Sequence, residues 1–573
     1  MKNTELGQVF ASIADLMEIL GADPFRINSY RKAGRAVEDL AEPIEDVAAA
    51  GELQKIPGIG KSTGAKIDEY LKTGKVAAHQ ELLGKVPPKL PEMLAVPGLG
   101  PKTVAKIWKE AKITSLGELE DAIESGAASL AEVPGFGPKR MRQIWESINF
   151  MKSVGGRMRL GEARQLADEL TAFVSKIPGA KKVAAAGSLR RGKETIGDID
   201  LLCQATKAAA PKIIERFTKS PGVQRVLAAG GTKGSVVLDR EVQADLRVVP
   251  AASYGAALAY FTGSKEHNVR LRELAVKAGM KLNEYGLFKG DRRVAGKDEP
   301  GIYKALGLQF VPPELREDRG EVQAARAGKL PDLLELEDIR GDLHVHTDWS
   351  DGVETIEAMA AAAQKRGYAY LAICDHSKSQ IQANGLDEKR LAEQVQAIRK
   401  LAKTLKGFTL LAGVEVDVFK DGRLDFEADV LAELDFVVAS AHTALSLGAK
   451  EATRRLIRAI EHPRVRCIGH PSGRIINGRP GMELDIEPVA RAAAANGVAL
   501  EINSHYYRLD LRDVHVRAAI EAGARIVINT DAHRAEELGM MRFGVLTARR
   551  GWATAADVIN TCSVGALRKW LAA

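Results

Sequence analysis

Asp198 and Asp200 close the stretch Gly187-Ser-Leu-Arg-Arg-Gly-Lys-Glu-Thr-Ile-Gly-Asp-Ile-Asp200. An Ala-rich, β-branched run from 182 to 186 precedes it, and apolar Ile199 to Cys203 runs through its end. Residues i and i+2 of a strand share a face, so the two carboxylates are expected side by side. They repel unless a cation lies between them, and Mg²⁺ favours carboxylate together with phosphate oxygens. The Gly-Ser turn, with Arg190 and Arg191 beside it, offers backbone N–H groups and guanidinium forks to an anion. Asp245, in Val-Gln-Ala-Asp-Leu-Arg-Val-Val, has the alternating pattern of a second strand and is the candidate third acid. Three acids on two strands suit two Mg²⁺ ions and an in-line displacement at phosphorus. A competing pattern, Gly187-x4-Gly192-Lys193, is a near-miss phosphate loop, because Glu194 stands where a metal-binding Ser or Thr is required.

A second set of chemical groups lies after residue 340, where nine of the eleven histidines fall. Short β-rich runs at 343–346, 370–376, 409–418, 436–443, 466–471, 498–503 and 525–531 alternate with Ala/Leu-rich helical patterns. That alternation predicts parallel strands, seven of which can close into a barrel. At or near their ends stand His344, His346, His376, Glu415, His442, His470, Glu501, Asp531 and His533, with Asp351 a few residues after the first run. Strand C-termini of such a barrel line one mouth, and imidazole with carboxylate suits Mn²⁺, Zn²⁺ or iron.

The elements before these sites repeat a third signal. Ile56-Pro-Gly-Ile-Gly-Lys61, Val96-Pro-Gly-Leu-Gly-Pro101 and Val133-Pro-Gly-Phe-Gly-Pro138 each precede a helical pattern with Lys or Arg. This is the helix-hairpin-helix signature, in which Gly58, Gly60, Gly98, Gly100, Gly135 and Gly137 let backbone N–H groups face DNA phosphates without reading sequence. Residues 1–330 carry 51 Lys+Arg against 41 Asp+Glu, and the remainder 31 against 34, so the basic excess sits with the hairpins. At 573 residues the chain is expected to be multidomain. Four cysteines without paired spacing suit a reducing compartment, and the amphipathic start and absence of long apolar runs exclude a signal peptide and a membrane span. The expectation is a cytoplasmic, nucleoid-associated monomer.

These motifs resemble a bacterial family X DNA polymerase, similar over its first 315 residues to repair polymerase beta, followed by a region similar to the PHP (polymerase and histidinol phosphatase) domain. The resemblance implies a multidomain α/β protein: a helical 5′-phosphate-binding domain with lyase character (1–78), fingers with helix-hairpin-helix (79–150), a nucleotidyltransferase palm (151–250), a nucleotide-selecting thumb (251–315), a linker (316–338) and a distorted (β/α)7 PHP barrel (339–573). It places Arg157, Gly187, Ser188, Arg191 and Gly197 on the incoming triphosphate. Within Tyr260-Phe-Thr-Gly-Ser-Lys-Glu-His-Asn268 it puts Tyr260 and Phe261 at the sugar, Gly263 among the nucleotide-binding residues and Asn268 at the base edge, with Arg272 on the template. Arg26 and Tyr30 match 5′-phosphate contacts, and Lys66 matches a Schiff-base lysine, with a plain phosphate contact as its other reading. In the PHP region it assigns nine ligands to up to three ions of Mn²⁺ or Zn²⁺: His344, His346, Asp351, His376, Glu415, His442, His470, Asp531 and His533. Glu501 is left as structural, and Ser504-His-Tyr-Tyr507 is expected to shape substrate access.

The function so implied is gap-filling DNA synthesis from dNTPs in repair, with 3′-5′ exonuclease and abasic-site cleavage in the PHP region. Two rivals stand beside it. One is a DNA-binding module fused to a small-molecule phosphomonoesterase. The other is a DNA-binding scaffold with a degenerate polymerase centre.

Overall fold

The structure, a computed structural model, describes residues 2–38, 44–56, 58–96, 99–125, 157–238, 242–477 and 481–572, and within 126–156 positions 130, 133, 136, 137, 140, 141, 144, 145 and 148. The chain divides into two compact units, Met1–Gly156 and Arg157–Ala573.

The first unit is helical. Helices Lys2–Ile19, Pro24–Glu38, Ile44–Ala49 and Lys61–Thr73 close on a core containing Phe10, Ile13, Val37 and Ile67. A second core of Leu90, Met93, Val104, Ile107 and Leu119 joins helices Pro101–Ala111 and Leu116–Glu124. Ser115 caps the latter by accepting from Glu118 N at 3.2 Å, the usual service of a serine to an orphan helix N–H.

The second unit begins with a five-stranded sheet in the order Lys182–Ala185, Asp198–Gln204, Gln243–Val249, Lys233–Leu238, Val223–Ala229. Only the Asp198–Gln204 and Gln243–Val249 pair is parallel. Helices Leu160–Ser175 and Ala210–Phe217 cover it, burying Leu170, Val174, Ile213 and Phe217. Helices Tyr254–Thr262 and Lys265–Lys277 follow, then a three-stranded antiparallel sheet from 281 to 295.

The C-terminal half contains all seven expected strands: Gly341–Val345, Tyr370–Ile373, Thr409–Asp417, Phe436–Ser440, Cys467–Gly469, Ala499–Asn503 and Arg525–Asn529. They pair in parallel and in chain order. The first and last ends meet where Asp531 N donates to His344 O at 3.0 Å and His346 N to Ala532 O at 2.9 Å, so the barrel is nearly closed. Strands buried on both faces read as apolar runs because helices cover the outside and side chains fill the inside.

One expectation differs from what is seen. The stretch 316–338 connects the thumb to the barrel, but as a packed strap. Arg316 is fully buried and donates to Glu299 Oε1 at 2.7 Å, and Glu317 Oε1 accepts from Arg191 Nε at 3.0 Å and Arg550 Nη1 at 2.9 Å. Arg316, Glu317, Asp318 and Arg319 each have an ion-pair partner. Within Ser504–Tyr507, the tyrosines pack against the palm. Tyr506 packs so close to Gly161 that a Cβ there would lie 2.4 Å from the ring, and Arg159 covers Tyr507 at 4.2 Å. Ile476, Leu509 and Phe543 of the barrel half join Leu160 and Ala163 in one core, so palm and barrel are fused through this joint.

Candidate functional site

The parallel register pairs Asp200 directly with Asp245, and Asp198 precedes Asp200 by two residues on the same face. Burial raises the Asp200 carboxyl to about 7, helped by the charges of Asp198 and Asp245. Asp198 is also raised, by burial and then by Asp245. Lys233 Nζ lies 2.7 Å from Asp245 Oδ2, and Gln243 Nε2 donates to Asp245 Oδ1 at 3.0 Å. Three carboxylates whose charges oppose one another are the donor set that divalent cations relieve, so the aspartates fit Mg²⁺.

The turn before them is a single helical turn, Gly187–Arg190. Gly187 has φ +62°, and a Cβ there would lie 2.5 Å from Asp200 Oδ2; only glycine brings the backbone this close. A cleft of about 490 Å³ opens above the acids, lined by Arg157, Gly187, Ser188, Arg191, Asp198, Asp200, Tyr260, Phe261, Gly263, Lys265, Asn268 and Arg272. Arg157 is held by Thr195, through Nε to Oγ1 at 2.9 Å and Nη2 to the carbonyl at 2.7 Å, and reaches over Gly197. Tyr260 and Phe261 meet edge to face at 5.1 Å, and Asn268 Nδ2 donates to Tyr260 O at 2.7 Å. Of the residues expected around a nucleotide, only Gly197 is missing from the cleft wall, and it lies under Arg157. His267, inside the same motif, points the other way: it is buried between Glu321 (2.6 Å) and Tyr303 (2.8 Å) and supports the strap.

The nine PHP positions converge at the barrel mouth. His346, Asp351, His376 and His533 form one set of donors, His344, His346 and Asp531 a second, and His376, Glu415 and His442 a third, each within 4.8 Å. His470 Nε2 lies 2.9 Å from Glu415 Oε1 and completes the group. Pairwise distances include 3.0 Å for His346 Nε2 to Asp531 Oδ1, 3.3 Å for His533 Nε2 to Asp351 Oδ1 and 3.4 Å for His442 Nε2 to Glu415 Oε1. Ligands at about 2.1 Å from one ion are themselves roughly 3 to 3.4 Å apart, so the spacing fits shared metals. His346 Nδ1 and Glu415 Oε2 are buried without a hydrogen-bond partner, as metal-facing atoms are. Burial opposes an imidazolium at His376, yet Glu415 and Asp351 outweigh it and lift its pKa to about 10; His442 and His533 rise to about 9 against the same penalty. Cations in reach of these nitrogens would replace such protons.

The supporting residues were less visible. Glu501 Oε1 accepts from His344 Nδ1 at 2.8 Å and Asn529 Nδ2 at 2.9 Å, and its Oε2 from His470 N at 2.6 Å, so this structural residue orients two ligands. Asp417 Oδ1 accepts from His442 Nδ1 at 2.9 Å, and Asn503 Nδ2 donates to Asp531 Oδ2 at 2.8 Å. Asp417 and Asn503 lie two residues beyond Glu415 and Glu501 on the same strand faces, a period-2 signal available in the sequence.

In the first unit, helix Lys61–Thr73 starts directly after Gly60 and helix Pro101–Ala111 after Gly100, and Arg140 N donates to Gly137 O at 2.8 Å. Gly58 takes φ +98°. Gly98 and Gly135 lie outside the described residues. Lys66 Nζ donates to Ser62 Oγ at 3.1 Å and sits 5.8 Å over the Tyr30 ring, while Arg26 is exposed.

Five known families match between residues 1 and 505: a helix-hairpin-helix domain at residues 1–76, a SAM-like helix-hairpin-helix tandem at 90–149, the DNA polymerase beta palm at 157–233, the DNA polymerase beta thumb at 257–317 and the PHP domain at 342–505. A DNA polymerase/3′-5′ exonuclease PolX of Bacillus subtilis strain 168 is 36% identical over 568 residues, 98% of either chain. The chain belongs to the PolX family. Shorter relatives cover the PHP half. A probable phosphatase of Shewanella sp. strain MR-4 is 32% identical over 208 residues, 35% of this chain and 78% of its own. One of Thermoanaerobacter sp. strain X514 is 29% identical over 241 residues, 40% and 93% of the two chains. The PolX match spans both halves, and no helix among the described residues is long and apolar enough to cross a membrane.

Proposed function

We propose that this chain extends primer 3′ ends in short DNA gaps at Asp198, Asp200 and Asp245, and removes nucleotides from 3′ ends at the PHP cluster. What carries the reading is the register of Asp200 on Asp245 at the floor of a cleft walled by Arg157, Ser188, Arg191 and Asn268. The three aspartates would hold two Mg²⁺ ions, which supply activation of the primer hydroxyl and charge neutralisation at the α-phosphate. Ser188, Arg157 and Arg191 with the Gly187 turn bind the triphosphate; Tyr260 and Phe261 flank the sugar; Asn268 and Arg272 test pair geometry from the minor groove, whose acceptors are nearly the same for every pair. In the PHP half the nine residues would hold up to three Mn²⁺ or Zn²⁺ ions, which supply a hydroxide and Lewis acidity for phosphodiester hydrolysis. Glu501 and Asp417 fix the imidazole orientations there. In the first unit, Arg26, Tyr30 and Lys66 contact the 5′-phosphate of the gap, and the hairpin glycines grip duplex.

A gapped duplex with dNTPs and divalent metal tests this in wild type, Asp198→Ala/Asp200→Ala and His344→Ala. The aspartate variant is expected to lose extension and keep 3′ degradation, and His344→Ala the reverse; extension by the aspartate variant overturns the polymerase centre. The likeness of the PHP half to probable phosphatases favours a second reading, hydrolysis of a small phosphomonoester. Turnover of such a ester by wild type, lost in His344→Ala and unaccompanied by 3′ degradation, decides for it. Borohydride trapping on an abasic substrate, with Lys66→Ala as control, separates a Schiff-base lysine from a phosphate contact.

A further inference from the structure

A groove of about 820 Å³ opens on the barrel half, and Phe419, Lys420, Arg423, Arg454 and Arg458 line it. Two of its lining residues adjoin the metal cluster along the chain. Phe419 follows two residues after Asp417, which orients His442, and Thr443 in the opposite wall is the residue after His442. Arg455 is 1% exposed and ties the walls together, donating through Nε to Phe419 O at 2.9 Å, through Nη1 to Thr443 O at 2.8 Å and through Nη2 to Val418 O. A buried guanidinium satisfied by carbonyls of both loops fixes the groove's width relative to His442.

The charges facing the groove are not balanced. Two carboxylates also line it: Asp421 pairs with Arg423 at 2.7 Å, and Glu451 is exposed. Lys420 and Arg454 are exposed and have no acid partner among the described residues. Phe419, 37% exposed, presents a ring beside these free cations. Unpaired cations tracking a groove beside an aromatic face make the platform on which single-stranded nucleic acid binds, phosphates on the cations and a base on the ring.

We propose that this groove holds the single-stranded 3′ segment of DNA whose terminal phosphodiester lies at the PHP cluster. The inference rests on the nuclease reading above and names how that site takes its substrate. His344, His346 and Glu415 are fully buried or nearly so, so a paired end has to fray before its last phosphodiester reaches them. The placement of Thr443, the neighbour of His442, in the groove wall and the groove's excess of positive charge select a polyanionic strand as the occupant.

Steady-state 3′ degradation of a single-stranded 12-mer and of a dinucleotide, over a salt series, tests this on the full chain. In Lys420→Ala/Arg454→Ala the KM for the 12-mer is expected to rise about tenfold, and the slope of log(kcat/KM) against log salt to become shallower by about 1.4, the value for two lost phosphate contacts on a single strand. The preference for the 12-mer over the dinucleotide falls with it. Phe419→Ala is expected to lower that preference by about fivefold or more. Gap filling by the same variants controls for folding, since none of these side chains belongs to the palm. If wild type degrades 3′ ends and the double variant matches it in KM and salt slope, the groove assignment is overturned and the nuclease reading stands. If wild type degrades no 3′ end at all, the nuclease reading falls and takes the groove with it.

Discussion

Asp200 lies where three carboxylates meet, and burial with the charges of Asp198 and Asp245 raises its pKa to about 7. A proton and a divalent cation therefore compete for it near neutrality. Below about pH 7 the proton holds the site; above it the carboxylate is free to bind metal. At limiting Mg²⁺, extension is expected to rise with pH through about 7, and saturating Mg²⁺ to move that rise to lower pH. A midpoint indifferent to Mg²⁺ concentration excludes Asp200 as the titrating ligand. Glu501 gives a residue-scale prediction in the other centre, because it accepts from His344 Nδ1 and from His470 N. Glu501→Gln keeps the shape and removes the charge that sets the imidazole. Loss of such an outer partner costs about 10–100-fold in metal affinity or activity. Metal content after dialysis and 3′ degradation are expected to fall together by that order, with gap filling as the control for folding.

At the scale of elements, the strap from 316 to 338 shows how charge can sit inside. Glu317 lies between Arg191, Lys193 and Arg550, and Glu299 between Arg190 and Arg316. Glu317→Ala leaves Arg191 and Lys193 without their acid, while Arg550 keeps Asp513, and breaking one partner of a buried pair costs about 3–5 kcal/mol. Urea unfolding followed by circular dichroism is expected to show a loss of that order. Arg191 also lines the nucleotide cleft, so KM for dNTP is expected to rise as well. This strap is the element that composition misreads: Arg-Glu-Asp-Arg-Gly-Glu looks like a charged linker because its partners, among them Arg191, Asp513 and Arg550, are far away in sequence. The seven barrel strands were legible because apolar runs between helical patterns reflect burial on both faces. The convergence of Asp198 with Asp200 followed from strand period and the gathering of histidines and acids at one mouth from strand ends, while the choice of nine without Glu501 came from the family resemblance. The pairing of Asp200 with Asp245 required the sheet register, and the Tyr506–Gly161 contact required knowing that barrel and palm share a core. Neither is encoded locally.

At the scale of the second unit, palm and barrel meet through both a shared apolar core and a set of buried ions. Arg550 donates to Arg191 O at 2.7 Å, pairs with Glu317 at 2.9 Å and pairs with Asp513 at 2.7 Å; Arg319 joins Asp513 at 3.0 Å, and Arg474 joins Glu194 at 2.8 Å. Burial alone would raise these acids, but Arg550, Lys193 and Arg191 bring Glu317 down to about 2, and Arg550 with Arg319 holds Asp513 well below the ordinary carboxylate range. An acid whose folded pKa is depressed contributes stability that is complete above its unfolded pKa, about 4.3 for Glu, and is lost as pH falls through the folded value. The joint is therefore expected to hold at pH 5 and above and to weaken progressively from about 4.3 toward 2. Opening it exposes Ile476, Leu509, Tyr506 and Phe543 together with the palm helix they cover, so binding of an apolar dye is expected to rise across that window. Glu317→Gln removes one of the titrating groups, and its dye-binding profile is expected to begin higher and climb less steeply with falling pH. Coincident profiles for the two proteins would mean that the ions of the strap are not what fails in acid, and that the apolar core alone joins the two halves.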